Sequence, residues 1–283
     1  MRNALTIDVE DYYHVSAFEA VVQPQDWEQY ESRVEKNTDK VLALLADKQV
    51  KATFFVLGWV AERYPHLVRR IAAEQHEVAC HGYSHRRVYT QTPEVFRNET
   101  RKAKGLLEEA AGMPIVGYRA ASYSITHQSL WALDILAEEG FQYDSSIFPI
   151  RHDLYGIPNH PRFPHVWQGH GARPIVEFPL STVRIAGVNF PVAGGGYLRL
   201  FPYAITHLAM RYLNHREKQA AIVYFHPWEL DPEQPRMPAG RLSQFRHYTN
   251  LERMQKKLQR LLGSFIFAPV RDVFADYLHH KAG

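Results

Sequence analysis

The sequence contains little cysteine and no long apolar run, and each absence narrows the class of protein. Its one cysteine, Cys80, cannot form an intramolecular disulfide. No apolar run approaches the roughly 20 residues that a membrane-spanning helix needs. The N-terminal stretch MRNALTIDVEDYYH has no apolar signal core and becomes acidic at residue 8. We therefore expect a cytoplasmic protein without an integral membrane segment.

The sequence also lacks a strong charge of either sign. Its net charge is +3 with histidine neutral, and its Lys and Arg residues are scattered rather than clustered. This pattern argues against a nucleic-acid partner. The hydrophobic content of 46% over 283 residues is sufficient for one large α/β domain or two small ones.

Strand and helix patterns alternate through most of the chain. This alternation predicts a largely parallel sheet with helices outside it, and periodicity alone does not separate a barrel from an open sheet. The predicted strands are 4–9, 52–57, 76–80, an extended stretch 115–123, two runs within 175–192, and 221–225. The predicted helices are 27–47, 65–75, 93–112, 126–140, 203–214 and 250–262.

Two regions between these elements have no clear period. Residues 151–174 are rich in Pro, His, Gly and Arg and are predicted to form a long ordered loop. Residues 229–247 are also predicted to be a loop. Because no flexible linker interrupts the chain, we predict a single domain over 1–283, with a core at about 4–230 and a C-terminal elaboration at about 231–283.

Three polar clusters follow predicted strands. Ligands of parallel α/β folds bind outside the carboxyl ends of the strands, so these clusters are expected to converge. Two imidazoles and one carboxylate can hold a metal with open positions, a second carboxylate can accept a proton, and a separate histidine can donate one. The residues concerned are Asp8, Glu10 and Asp11, then His81 and His85, then His226.

Each cluster alone is weak evidence for a catalytic site. With 16 histidines in 283 residues, about one His-x-x-x-His pair is expected by chance. Acidic residues after a strand also commonly cap helices. The joint placement after strands, together with the flanking sequence, favours the catalytic interpretation.

The order of these clusters resembles the polysaccharide deacetylase family, also described as the NodB-homology fold or carbohydrate esterase family 4. The resemblance spans roughly residues 5–230. Within the family, DVEDYYH, AGGGYLRLFP and the C-terminal tail resemble deacetylases of exosortase-type exopolysaccharide clusters, in the branch of allantoinase-like and peptidoglycan deacetylases. The matching motifs are LTIDVED (5–11), YPHLVRRIAAEQHEVACHGYSH (64–85), GYRAASYSI (117–125), YDSSIFP (143–149) and IVYFHPWELD (222–231).

The resemblance implies a distorted (β/α) barrel and a role for each matching residue. It implies a metal-dependent hydrolase that removes N-acetyl groups from a polysaccharide or its cytoplasmic precursor in exopolysaccharide or cell-envelope biosynthesis. His81 and His85 resemble ligands of a divalent metal, usually Zn²⁺. The implied catalytic residues are Asp8 as general base, Arg119 orienting Asp8, His226 as general acid, and Asp144 holding His226 or lining the site.

The acidic metal ligand is left open by the sequence, because the commonest family pattern of two adjacent aspartates is absent. Val9 follows Asp8 and cannot bind a metal. In a continuing strand, Glu10 shares the face of Asp8 and Asp11 points away. A turn after the strand would bring Asp11 round instead. We favour Glu10 and keep Asp11 as the alternative.

Two other functions remain as alternatives at this stage. An allantoinase-like hydrolase would act on a small cyclic amide with the same scaffold. An inactive sugar-binding homologue would need no acid-base pair, so the presence of Asp8 and His226 argues against it. The sequence does not predict the sugar or the oligomeric state.

Overall fold

The computed structural model describes residues 1–169, 173–192 and 194–279. Three residues of the predicted 151–174 loop and the last four residues of the predicted C-terminal elaboration therefore lie outside the described part. Within it, strands and helices alternate as the sequence predicts.

The strands are short, and most are buried along their whole length. Their bounds are β1 Arg2–Val9, β2 Thr53–Val56, β3 Glu77–Cys80, β4 Gly117–Tyr118, β5 Tyr143–Asp144, β6 His165–Trp167, β7 Ile175–Glu177, β8 Thr182–Ile185, β9 Val188–Pro191, β10 Ile222–Phe225 and β11 Ile266–Ala268.

The helices follow the strands and cover the outside of the sheet. The α-helices are α1 Val34–Asp47, α2 Gly58–Arg63, α3 Pro65–Ala73, α4 Pro93–Ala111, α5 Trp131–Glu138, α6 Gly195–Leu200, α7 Tyr203–Tyr212, α8 Arg241–Tyr248, α9 Leu251–Ser264, α10 Val270–Val273 and α11 Ala275–His279. Short 3₁₀ helices lie at Ser16–Phe18, Pro24–Gln29, Val88–Thr90, Ala121–Tyr123 and Pro227–Leu230, and a π-helical turn lies at Leu213–Glu217. Within the described ranges, no helix combines the length and apolar character that crossing a bilayer requires.

One curved sheet contains nine of the strands in the described part of the chain, in the order β10-β1-β2-β3-β4-β5-β7-β6, with β11 also paired to β1. All of its pairs are parallel except β6 with β7. No strand ladder among the described residues joins β10 to β6, although the Ile222 amide donates to Ser181 Oγ at 2.7 Å. The arrangement is an incomplete barrel, and β8 and β9 form a separate hairpin.

Alternation along the strands divides the core into two layers. One layer is the barrel interior and is rich in aromatic rings, including Phe55, Tyr143, Phe178 and Tyr224. The other layer lies between the sheet and the helices and contains the residues that alternate with them, such as Phe54 and Val223. The free Cys80 is buried in this outer layer, as a small core residue.

Several predicted boundaries differ from the structure. The helix predicted at 27–47 is wrong in its first part, since a 3₁₀ helix ends at Gln29 and α1 begins at Val34. The loop predicted at 229–247 is also wrong, because α8 occupies its second half. By contrast, α4 begins after Thr92, whose side chain accepts from the Val95 amide, and ends at Gly112 with φ +67°.

Candidate active site

The ends of β1, β3 and β10 bring polar side chains to one mouth of the barrel. Ile7, Cys80 and Phe225 belong to the outer core layer, so the residue after each of them faces the barrel interior. Those next residues are Asp8, His81 and His226. The parallel pairing of β1 with β10 and β2, and of β2 with β3, places these ends at the same edge. The convergence that the sequence predicts is therefore present.

Asp8 is held by two side chains from the segment after β4. Its Oδ1 accepts a hydrogen bond from Arg119 Nη1 at 2.7 Å, and its Oδ2 accepts one from Tyr123 at 3.2 Å. Arg119 is fully buried and also donates to Thr6 Oγ1, the Ser145 carbonyl and Ser145 Oγ. Because the guanidinium is fixed on several sides, it both orients the Asp8 carboxylate and supplies its counter-charge.

Tyr123 is a site residue that the sequence analysis missed. It lies in a turn where both Ser122 and Tyr123 adopt φ near +52°, which is a strained conformation for residues other than glycine. The turn directs the Tyr123 hydroxyl toward Asp8 rather than continuing the extended stretch predicted at 115–123. The only available signal was its position four residues after Arg119.

Glu10, His81 and His85 form a cluster whose potential ligand atoms all lie within 4.8 Å of one another. His81 Nδ1 is 2.9 Å from the Arg119 carbonyl, which leaves Nε2 available for the cluster. Burial lowers the pKa of His81 to about 4, although Asp8 opposes this, so its imidazole is neutral as a metal ligand must be. Burial opposes ionisation of Glu10, but its histidine neighbours outweigh burial and lower its pKa.

These residues fit a divalent cation. Glu10 Oε2 lies 2.6 Å from His85 Nε2, yet it is buried and has no hydrogen-bond partner among the described residues. The His81, His85 and Glu10 donor atoms are close enough together to bind one ion. Two imidazoles and a carboxylate are a common donor set for zinc.

Asp11 lies outside this cluster. Its Oδ2 accepts hydrogen bonds from Ser32 Oγ and from the amides of Arg33 and Val34, and its Oδ1 accepts one from the Tyr12 amide. The Asp11 carboxylate therefore accepts hydrogen bonds from the backbone amides at the start of α1, which explains why that helix begins at Val34. The geometry groups Glu10, the favoured candidate, with the two histidines, and it does not bring the alternative, Asp11, into that cluster.

A pair of variants separates the two acids. We expect Glu10→Gln to weaken zinc binding by at least about 100-fold, since loss of outer partners alone costs roughly 10–100-fold. Asp11→Asn should leave zinc affinity near that of the wild type but reduce stability by about 1–2 kcal/mol, because it weakens the cap of α1. Zinc titration and thermal unfolding of both variants measure this. Greater loss of zinc affinity in Asp11→Asn would contradict the arrangement.

His226 faces both acids from the end of β10. Its Nε2 lies 3.9 Å from Asp8 Oδ2 and 3.7 Å from Glu10 Oε1. Its Nδ1 lies 3.1 Å from Glu229 Oε2, and its ring stacks on Trp228 with centroids 5.0 Å apart. Burial opposes protonation of His226, but the hydrogen bond to Glu229 and the nearby carboxylates raise its pKa to about 9. The group is therefore suited to donate a proton from Nε2.

Asp144 is not the partner of His226. Its two carboxylate oxygens accept hydrogen bonds from the Ser146 amide and hydroxyl, and it lies beside Glu177 on β7. Glu229 instead makes the contact with His226 that the resemblance implied for Asp144. The signal for Glu229 was present in the sequence, because an acid three residues after His226 can reach back to it in a single helical turn.

Two protein-family models match consecutive segments of the chain. The polysaccharide deacetylase family matches residues 26–143, and a domain of unknown function, DUF3473, matches residues 145–275. Residues 26–143 are therefore similar to the polysaccharide deacetylase family. Both matched segments contribute strands to the one sheet.

Two bacterial deacetylases are similar to part of the chain. A peptidoglycan-N-acetylglucosamine deacetylase of Bacillus cereus is 41% identical over 75 residues, covering 26% of this chain and 27% of that protein. A chitooligosaccharide deacetylase of Bradyrhizobium sp. is 34% identical over 100 residues, covering 35% of this chain and 43% of that protein. The chain thus spans less than half the length of these relatives.

A solved structure confirms the fold over nearly the whole chain. A protein from Mycobacterium smegmatis that is described as a putative polysaccharide deacetylase aligns with a TM-score of 0.61 and 20% identity, covering 99% of this chain and 89% of that one. The predicted α/β fold, a distorted barrel of the polysaccharide deacetylase type, is therefore confirmed.

Proposed function

We propose that the protein is a metal-dependent hydrolase that removes N-acetyl groups from a glycan. The observation that carries this proposal is the placement of the Glu10, His81 and His85 cluster beside a carboxylate held by Arg119 and a histidine held by Glu229. Together they offer a cation site, a proton acceptor and a proton donor within one buried mouth.

Glu10, His81 and His85 would hold the divalent cation, and their two nitrogen donors and one oxygen donor favour Zn²⁺. When bound, such an ion supplies a Lewis acid that polarises an amide carbonyl and lowers the pKa of water. Three protein ligands leave coordination positions open for water and substrate.

Asp8 is proposed as the general base. Its Oδ1 is engaged by the Arg119 guanidinium at 2.7 Å, while its Oδ2 has only the longer contact with Tyr123 and faces His226. The second oxygen is therefore the one placed to take a proton from an attacking water. Arg119 keeps the carboxylate oriented throughout because its own position is fixed by Thr6 and Ser145.

His226 is proposed as the general acid. Glu229 accepts the Nδ1 proton, so Nε2 carries the proton that faces the site when the ring is charged. An amine is a poor leaving group unless it is protonated as the carbon-nitrogen bond breaks. Donation from Nε2 to the amide nitrogen would meet this requirement and leave a free amino sugar and acetate.

The substrate is proposed to be an N-acetylated polysaccharide or its precursor in exopolysaccharide or cell-envelope biosynthesis. The two similar deacetylases, named for peptidoglycan and chitooligosaccharide, support this class. We also propose that the protein acts in the cytoplasm, and its buried free Cys80 is compatible with a reducing compartment. Finding the native protein in a periplasmic fraction would contradict that location.

A substrate panel tests the proposal. We expect acetate release from N-acetylated oligosaccharides of several lengths and no ring opening of a small cyclic amide such as allantoin. The zinc-loaded protein and an Asp8→Asn control are assayed side by side. Hydrolysis of the cyclic amide alone would replace the proposal with the allantoinase-like alternative.

A further inference from the structure

We propose that Arg199 is a positioning residue, which fixes His226 through Glu229 and is itself held by the corner between α8 and α9. The inference rests on the proposed role of His226 as proton donor. It assigns a function in the site to the glycine-rich segment and to the C-terminal helices, whose described residues do not include any member of the cation cluster.

The Arg199 guanidinium is buried and engaged by four acceptors. Its Nε donates to Glu229 Oε1 at 2.5 Å. Its Nη1 donates to the carbonyls of His247 and Thr249 at 2.8 and 2.9 Å, and its Nη2 donates to the carbonyl of Arg246 at 2.8 Å. A guanidinium bound on this many sides has one available orientation, so it presents a fixed charge to Glu229.

Glu229 links the fixed Arg199 guanidinium to His226 by hydrogen bonds on both sides. Its carboxylate is fully buried, with Oε1 on Arg199 and Oε2 accepting from both the amide and Nδ1 of His226 at 2.9 and 3.1 Å. Without Arg199, the buried carboxylate would lose its counter-charge and would move or take up a proton. In either case the constraint that points Nε2 of His226 toward Asp8 would be weakened.

The glycines at 194–196 explain how the Arg199 side chain comes to lie beside Glu229. A side chain at Gly194 would put Cβ 2.0 Å from Tyr224 Cδ1, and one at Gly195 would put it 2.8 Å from Cε2 of the same ring. The glycines therefore let α6 pack directly on β10. No phosphate-binding lysine follows this run in the sequence, and the structure gives the run a packing role beside β10, the strand that precedes His226.

The corner between α8 and α9 is also connected to His226 through the ring of Trp228. The Trp228 ring stacks between His226 and His247, with centroid distances of 5.0 and 4.1 Å and interplanar angles of 19° and 14°. Lys257 of α9 donates to the carbonyls of Leu198, Arg199 and Phe201, which fixes the end of α6 against the corner. The helices at 241–264 are thus joined to the proton donor by ring stacking through Trp228, and by hydrogen bonds to Arg199, which pairs with Glu229.

Kinetics of matched variants test the proposal. We expect Arg199→Met and Glu229→Gln each to lower kcat on an N-acetylated oligosaccharide by roughly 10–100-fold, as for other partners that orient a histidine. KM and zinc content should change little. Arg162→Met is the control, because it removes another largely buried Arg–Glu pair, with Glu217, which precedes the N-terminal end of β10 rather than its carboxyl end. Its kcat should stay close to that of the wild type.

The double variant separates positioning from general stability. If Arg199 acts through Glu229, adding Arg199→Met to Glu229→Gln should lower kcat little further, because both changes remove the same constraint. Multiplied losses, or an equal loss in Arg162→Met, would overturn the proposal.

An NMR measurement tests the positioning of His226 independently of enzymatic activity. The Nδ1 proton of His226, assigned by its absence in His226→Gln, should give a protected downfield NMR signal in the wild-type protein and lose that protection in Glu229→Gln and Arg199→Met. If the wild type released no acetate, the proposed function would fail, and this signal would still decide the positioning role. An unchanged signal in folded Arg199→Met would refute it.

Discussion

His226→Ala and Asp8→Asn are each expected to lose about 10²–10⁴-fold in turnover while zinc remains bound, because general acids and bases contribute rates of that order. Neither residue belongs to the three-residue ligand cluster. Asp8→Asn keeps the shape of the side chain but replaces a carboxylate that faces the buried guanidinium of Arg119 at 2.7 Å. Steady-state kinetics together with elemental analysis of each purified variant measure both parts of the expectation.

The exposed His66 on α3 provides a control for loss of an imidazole. Its side chain contacts Glu35 on the protein surface and takes no part in the mouth of the barrel. His66→Ala should therefore keep normal turnover. If His226→Ala or Asp8→Asn behaved like His66→Ala, the role assigned to that residue would be wrong.

Removal of the metal is expected to abolish activity without unfolding the protein. Chelation, His81→Ala or His85→Ala should each reduce acetate release to background, and zinc should restore activity only to the chelated wild type. The fold should persist because the core layers on both sides of the sheet are packed independently of the cluster, unlike a metal-dependent mini-domain. Circular dichroism and elemental analysis accompany the assay.

Two outcomes would contradict this expectation in different ways. Full activity in chelator, in protein shown to contain no metal, would remove the cation from the mechanism. Cooperative unfolding on chelation would instead show that the cluster stabilises the fold, a role the packed core does not require.

The parts of the site that follow from strand alternation were predictable. Asp8 and Glu10 were placed on one face because a strand alternates, and His226 Nε2 indeed lies near both carboxylates, at 3.9 and 3.7 Å. His81 and His226 were placed at the same edge because parallel strands end together. The parallel sheet followed from the regular spacing of strand and helix patterns.

The parts that depend on chain reversals were not predictable. Asp11 caps a helix that begins 23 residues later, and this contact requires the path of residues 12–33 to be known. Tyr123 reaches Asp8 through two residues at positive φ, which a propensity argument disfavours. The partner of Arg199 lies 30 residues away in the chain, and only the packed glycines reveal why it approaches β10.

Acetate release from an N-acetylated oligosaccharide by the zinc-loaded wild-type protein, set against the His81→Ala/His85→Ala double variant, tests the central claim most directly. The account predicts stoichiometric acetate and free amino sugar from the wild type and neither product from the variant. Equal release by both proteins, or no release by a zinc-loaded wild type across the panel of oligosaccharides, would contradict it.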